Sequence, residues 1–235
     1  MSGQEKINLV LKRSVLIEMN QESLLQTLCE QIKEDEKLFV FDLDFCLYNS
    51  EELKQFENEK AKNIFVEKNK GTGFDWDHCN KTIQPWAAMF LKICKINVFE
   101  FFNEIDICDF DKFLSKNEKV IEALASVNHT KVLMSNGGKK RIEKILSIIG
   151  LENTFDVIFA PDSNATEMPL MKPEVEAFGF VEQKMGVKNS QNVYFFDDNI
   201  KNIEGAIKKG WNCFHVDANI CEKIEEALLH AEKSK

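Results

Sequence analysis

The sequence predicts an α/β fold in which a parallel sheet is covered on both faces by helices, with a helical subdomain inserted after the first strand. Two observations carry this. Short apolar runs alternate with helical patterns along most of the 235 residues, which is the signature of βαβ units. Roughly 85 residues separate the first apolar run from the second, far more than one crossover requires.

In order, residues 21–36 (QESLLQTLCEQIKEDE) form an amphipathic helical pattern leading into the first strand, LFVFDL. Further apolar runs are KVLMS at 131–135, FDVIFA at 155–160, NVYFFD at 192–197 and the weaker NCFHV at 212–216. Helical patterns at 139–149, 173–186, 199–209 and 220–233 lie between and after them. Within the long interval, 51–70 and 80–103 read as helices, 71–79 (GTGFDWDHC) as a loop, and 117–127 as the helix that returns to the sheet. The expected organisation is a core of residues 1–50 and 117–235 with a helical cap at 51–116. Residues 1–20 read as a loose arm or an extra helix.

Composition narrows the function classes. Hydrophobic residues make up 44% and charged residues 29%, as in ordinary globular domains. A formal charge of −9 argues against a nucleic-acid partner, whose phosphates demand a basic face. Seven scattered Cys without a CxxC pattern read as reduced thiols, and no apolar run is long enough to span a membrane. A cytoplasmic location is the expectation.

The chemistry sits where strands end. In open parallel sheets ligands gather at the carboxyl ends of the strands. Asp42 and Asp44 follow the first strand, Ser135 and Asn136 the second, and Asp197 and Asp198 the fourth; Lys172 lies in the loop after the third. Two carboxylates about 4 Å apart repel by roughly 4 kcal/mol at an effective dielectric near 20. Crowded acids therefore need a cation, and oxygen ligands without nearby His or Cys favour a hard ion such as Mg²⁺. A divalent ion beside a lysine and free backbone N–H groups makes a site for a phosphate dianion.

At these residues the chain resembles the haloacid dehalogenase-like hydrolases: DLDFCLYNS, the SNG after a strand, a lone KP and FFDDNIKN look like that superfamily's four motifs, in order, over residues 38–216. The LY after the first motif and the insert resemble the branch of pyrimidine 5′-nucleotidases. The resemblance implies a Rossmann-like core and a Mg²⁺-dependent phosphomonoesterase acting through an aspartyl-phosphate, with a small phosphorylated metabolite, a nucleoside 5′-monophosphate first, as substrate. It implies Asp42 as nucleophile and Asp44 as the group that protonates the leaving oxygen and then activates water. It further implies Mg²⁺ held by the Asp42 carboxylate, the Asp44 carbonyl and Asp198, with Asp197 and Asn202 in support, and phosphoryl oxygens gripped by Ser135, Asn136 and Lys172. Phe45 and Cys46 depart from the usual pattern, and Phe45 is expected to narrow the pocket.

Other readings of the same residues are a sugar-phosphate phosphatase, a phosphomutase, a carbon–halogen hydrolase and a non-hydrolytic phosphate-accepting signalling domain. Lys172, beside Pro173, reads as a cation at a helix start, where it opposes the helix dipole unless an anion binds. Lys139, Lys140 and Arg141 read as a solvated helix face before an attractor of an anionic substrate, and Phe74, Trp76, Trp86 and Phe90 as core of the insert before a stacking platform for a nucleobase.

Overall fold

The structure, a computed structural model, describes residues 14–20, 32 and 36–233. Six parallel strands form one sheet: β1 (Val15–Met19), β2 (Leu38–Phe41), β3 (Thr130–Met134), β4 (Val157–Pro161), β5 (Val193–Asp197) and β6 (Asn212–His215). Their order is β1-β4-β3-β2-β5-β6. The fold is therefore the Rossmann-like α/β arrangement, and strand order reverses at β2, flanked by β3 and β5.

Alternate residues of the central strands feed two separate cores. Phe39, Phe41, Tyr194 and Phe196 pack on one face, while Leu38, Val40, Val193 and Phe195 pack on the other. A strand buried on both faces needs the near-continuous apolar sequence that β2 and β5 carry. Among the described residues, five helices accompany the sheet. They are named after the insert's helices α1 (Glu51–Lys68) and α2 (Trp76–Thr82): α3 (Glu118–Ser126), α4 (Lys139–Ile149), α5 (Val175–Met185), α6 (Ile200–Lys209) and α7 (Ile220–Lys233).

Two expectations need correction here. Residues 15–19 are neither a loose arm nor a helix: VLIEM pairs with β4, Leu16 opposite Ile158, so among the described residues a strand precedes β2. Five residues with only Ile17 and Met19 buried are too short a pattern to read by eye. The helix expected at 21–36 lies almost wholly outside the described residues.

The region 80–103 is not one helix. After α2, Pro85 precedes a short helix, Trp86–Met89, that widens into a π-helical turn at Phe90–Cys94. Lys95, at φ +56°, stops it. The Asn97 side chain then accepts from Glu100 N and starts Val98–Glu100, which widens again at Phe101–Ile105. Each π turn takes in about one extra residue within an apolar stretch, FLKIC and FFNEI, so composition alone reads the region as one helix. The insert has its own apolar cluster, including Phe65, Trp76, Phe90 and Phe102. Leu53, Phe110 and Leu114 pack instead with the sheet.

Candidate active site

Parallel register brings the carboxyl ends of β2, β3 and β5 level. Phe41 lies opposite both Leu133 and Phe196. The Asp42 N–H continues the ladder by donating to the Phe196 carbonyl at 2.9 Å. Asp42, Asp197 and Asp198 each place an oxygen within 4.8 Å of the others. That is the crowding read from the sequence, now in three dimensions.

Lys172 lies among these acids. Its Nζ donates to Asp42 Oδ1 at 2.5 Å, Asp197 Oδ2 at 2.8 Å and the Met134 carbonyl at 2.7 Å, using all three of its protons. Asn136 and Lys172 bond reciprocally through side chain and backbone, at 2.8 and 2.9 Å, which ties the lysine's loop to the end of β3. The helix-dipole argument for Lys172 fails, because α5 begins at Val175 with Glu174 at its cap. The lysine is 1% exposed because it neutralises buried carboxylates, not because it borders a helix.

Asp197 is fully satisfied: Asn199 N and Asn202 Nδ2 donate to Oδ1, and Lys172 and Asn202 to Oδ2. Asn202 thus braces Asp197. Asp42 keeps its second oxygen clear of hydrogen bonds among the described residues, and it lines a cavity of about 570 Å³. Burial pushes the Asp42 carboxyl well above the usual range; Asp197, Asp44 and Asp198 add to this while Lys172 opposes it. Asp198 is raised to about 6, first by burial and then by Asp197. Acids held this far up are short of positive charge.

Asp44 has the opposite environment. Burial would raise it, but Arg141 beside it, with Tyr48 and Ser135 donating, brings it below the ordinary value. Arg141 approaches Asp44 Oδ1 through Nε at 2.9 Å and Nη2 at 2.8 Å. Tyr48 Oη donates to the same oxygen at 2.6 Å and Ser135 Oγ to Oδ2 at 3.2 Å. Asp44 is set as a carboxylate.

Arg141 corrects another expectation. It is 6% exposed, not part of a solvated face. The sequence reading also passed over Glu57 and Asp106, which meet Arg141 from the insert. One signal was available: Lys139, Lys140 and Arg141 occupy the first turn of α4, where cations oppose the helix dipole and need compensation.

Of the expected site residues, Asp42, Asp44, Asn136, Lys172, Asp198 and Asn202 line the cavity. Ser135 and Asp197 lie wholly buried behind them. Phe45 stands at the cavity wall at φ +61°, a conformation that disfavours a bulky residue. The Lys54 ammonium lies 5.5 Å from its ring centroid. From the insert, α1 presents Glu51, Lys54, Gln55 and Asn58 to the cavity at helical spacing. Trp86 lines it too, its indole N–H donating to Asn80 Oδ1 at 2.7 Å, whereas Trp76 and Phe90 are core and Phe74 is exposed.

A family model described as haloacid dehalogenase-like hydrolase matches residues 36–210. The chain belongs to that family. It is 23% identical over 219 residues to "Phosphate metabolism protein 8" of Saccharomyces cerevisiae, covering 85% of this chain and 67% of that protein. Its fold is similar to a haloacid dehalogenase-like hydrolase from Bacteroides fragilis, with TM-score 0.56 and 17% identity over 77% of this chain and 87% of the other. The family protein SP0104 of Streptococcus pneumoniae superposes with TM-score 0.50 and 11% identity, over 77% and 84% of the two chains. Among the described residues no helix is long and apolar enough to cross a membrane.

Proposed function

We propose that this protein is a Mg²⁺-dependent phosphomonoesterase that works through an aspartyl-phosphate on Asp42, with nucleoside 5′-monophosphates as substrates. Residues 51–116 act as its cap. The observation that carries the reading is the cluster of Asp42, Asp197 and Asp198, with an Asp42 oxygen at the cavity that no described residue bonds. The donor set is all oxygen, which suits a hard divalent ion. Asp42 and Asp198 would hold the ion with the Asp44 carbonyl, and Asp197 would sit behind as a fixed charge. When bound, Mg²⁺ supplies the positive charge that lets a phosphate dianion approach a carboxylate.

The chain's own residues account for the proton and phosphoryl steps. The free Asp42 oxygen attacks phosphorus, and the bond to the leaving oxygen breaks with its electron pair. That oxygen takes its proton through Asp44, which is a carboxylate at rest and picks the proton up from a monoanionic substrate phosphate as it docks. Asp44 then takes a proton from water as the water oxygen bonds phosphorus, and the bond to Asp42 breaks to restore the carboxylate. Asn136 and Lys172 would hold the phosphoryl oxygens, Lys172 exchanging one carboxylate contact for the phosphate; Ser135, buried behind them, would join only by turning its hydroxyl from Asp44. The cavity, about 570 Å³, is of ordinary ligand size. Phe45, Trp86, Gln55 and Asn58 at its walls offer rings and amides to a nucleobase. The test is phosphate release from a panel of nucleotides and sugar phosphates, with Mg²⁺ and with chelator. The proposal predicts metal-dependent release led by 5′-nucleotides; a sugar phosphate far ahead of flat nucleotide rates contradicts the substrate assignment.

A further inference from the structure

Arg141 stands where a cation is least welcome. It lies in the first turn of α4, which has no acid of its own in that turn and no side-chain cap. Compensation comes from three carboxylates in other parts of the chain. Asp44 takes Nε and Nη2, while Nη1 meets Glu57 of α1 and the Asp106 carbonyl at 3.1 Å, with Asp106 Oδ1 at 3.7 Å. Gly138 N donates to Asp106 Oδ2 at 2.7 Å, so an insert carboxylate caps a core helix.

The loop is built to allow this approach. A Cβ on Gly137 would lie 2.7 Å from Arg141 Cδ, and one on Gly138 would lie 2.9 Å from the Phe102 ring. The first glycine makes room for the arginine and the second for the insert. Lys60, one turn beyond Glu57, donates to the carbonyls of Glu104 at 2.8 Å, Ile105 at 3.1 Å and Ile107. That fixes the segment carrying Asp106.

We propose that Arg141 is a positioning residue that couples docking of the helical insert to the orientation of Asp44. The guanidinium is a planar, rigid fork: with one edge held by Glu57 and Asp106, the other can place Asp44 in only one way. When the insert departs, the outer edge loses its partners, and Asp44 is left with Tyr48 and Ser135 and a guanidinium no longer held in place. The proton carrier is thus in place only when the cavity is closed. This inference rests on the reading of Asp44 as the group that moves the proton.

The experiment uses p-nitrophenyl phosphate and Mg²⁺ with Arg141→Gln, Glu57→Gln and the double variant of the full chain. Arg141→Gln lowers kcat by about 100-fold, the scale of a misplaced catalytic group, and leaves KM little changed. Glu57→Gln lowers kcat less, and the double variant falls no further than Arg141→Gln alone, because both act through one contact. Arg141→Lys recovers little, since a point charge cannot bridge the two edges. Losses that multiply in the double variant, a loss in KM alone, or full rescue by Lys overturn the proposal. If Arg141→Gln fails to fold, Asp44→Asn with Glu57→Gln closes an equivalent cycle with the same criterion. Wild-type protein that turns over neither this probe nor any nucleotide overturns the phosphatase reading itself; multiplying losses with wild-type turnover intact overturn only the role of Arg141.

Discussion

Two buried cations flank the site, and they are supported in different ways. Lys172 bonds Asp42, Asp197 and a carbonyl, all from the ends of sheet strands. Arg141 bonds one core carboxylate and two from the insert. Each cation faces more than one acid, yet the consequences differ. Around Lys172 the shortfall of positive charge leaves Asp42 and Asp198 raised, at the place where a metal is proposed. Around Arg141 the core partner Asp44 is lowered, and the insert partners carry the burden. Burial drives Asp106 up to about 7 against the pull of Arg141, and Glu57 is raised for the same reason. A cluster drawn from one rigid sheet builds a fixed site, whereas a cluster drawn from two parts of the fold stores the cost of bringing them together.

The largest expected effect lies in the first cluster. Asp42→Asn removes the nucleophile and lowers phosphate release by at least about 10⁴-fold, as for other members of a catalytic unit. Thermal unfolding of that variant matches or exceeds wild type, because burial already disfavours the Asp42 charge. A variant that keeps turnover sinks the assignment.

Lys172→Met comes next, now in stability. Removing the cation leaves Asp42 and Asp197 buried and unpaired, a loss of about 3–5 kcal/mol. Urea titrations at pH 5 and pH 8 should show the larger penalty at pH 8, where the acids are harder to protonate. Equal stability at both values would mean the lysine is not what holds the acids.

The second cluster gives a smaller effect of opposite direction. A carboxyl raised in the folded state binds its proton more tightly there than when unfolded, so its contribution to stability falls as pH rises from about 4 to about 7. Asp106→Asn keeps an acceptor for Gly138 N–H but removes the charge. Its unfolding free energy in urea should equal wild type near pH 4 and exceed it at pH 8, by on the order of 1 kcal/mol after allowance for partial solvent access. A variant less stable than wild type at pH 8 would show that the Asp106 charge pairs favourably with Arg141.

The same division explains what the sequence could disclose. The sheet core was legible because each strand ends in a polar group and parallel register turns chain order into proximity; Asp42, Asn136, Lys172, Asp198 and Asn202 meet at one cavity. The reason given for Lys172 was nevertheless wrong, since helix α5 starts later than Pro173 suggested. Arg141 was hidden because its partners lie 97, 84 and 35 residues away, two of them in an insert with no motif. Strand β1 was hidden for a related reason: five residues at a sheet edge gain their identity from β4, not from their own pattern. The broken helix at 80–103 was hidden because its π turns fall in stretches, FLKIC and FFNEI, whose composition is that of a helix.

The most direct measurement is calorimetric titration of Mg²⁺ into wild-type protein and into Asp198→Asn. Asp42, Asp197 and Asp198 crowd together with one lysine among them, so the account predicts one equivalent of metal bound by wild type and binding weakened severalfold or lost in the variant. Wild-type protein that takes up no Mg²⁺ at saturating concentration, or a variant that binds it as well, contradicts the account.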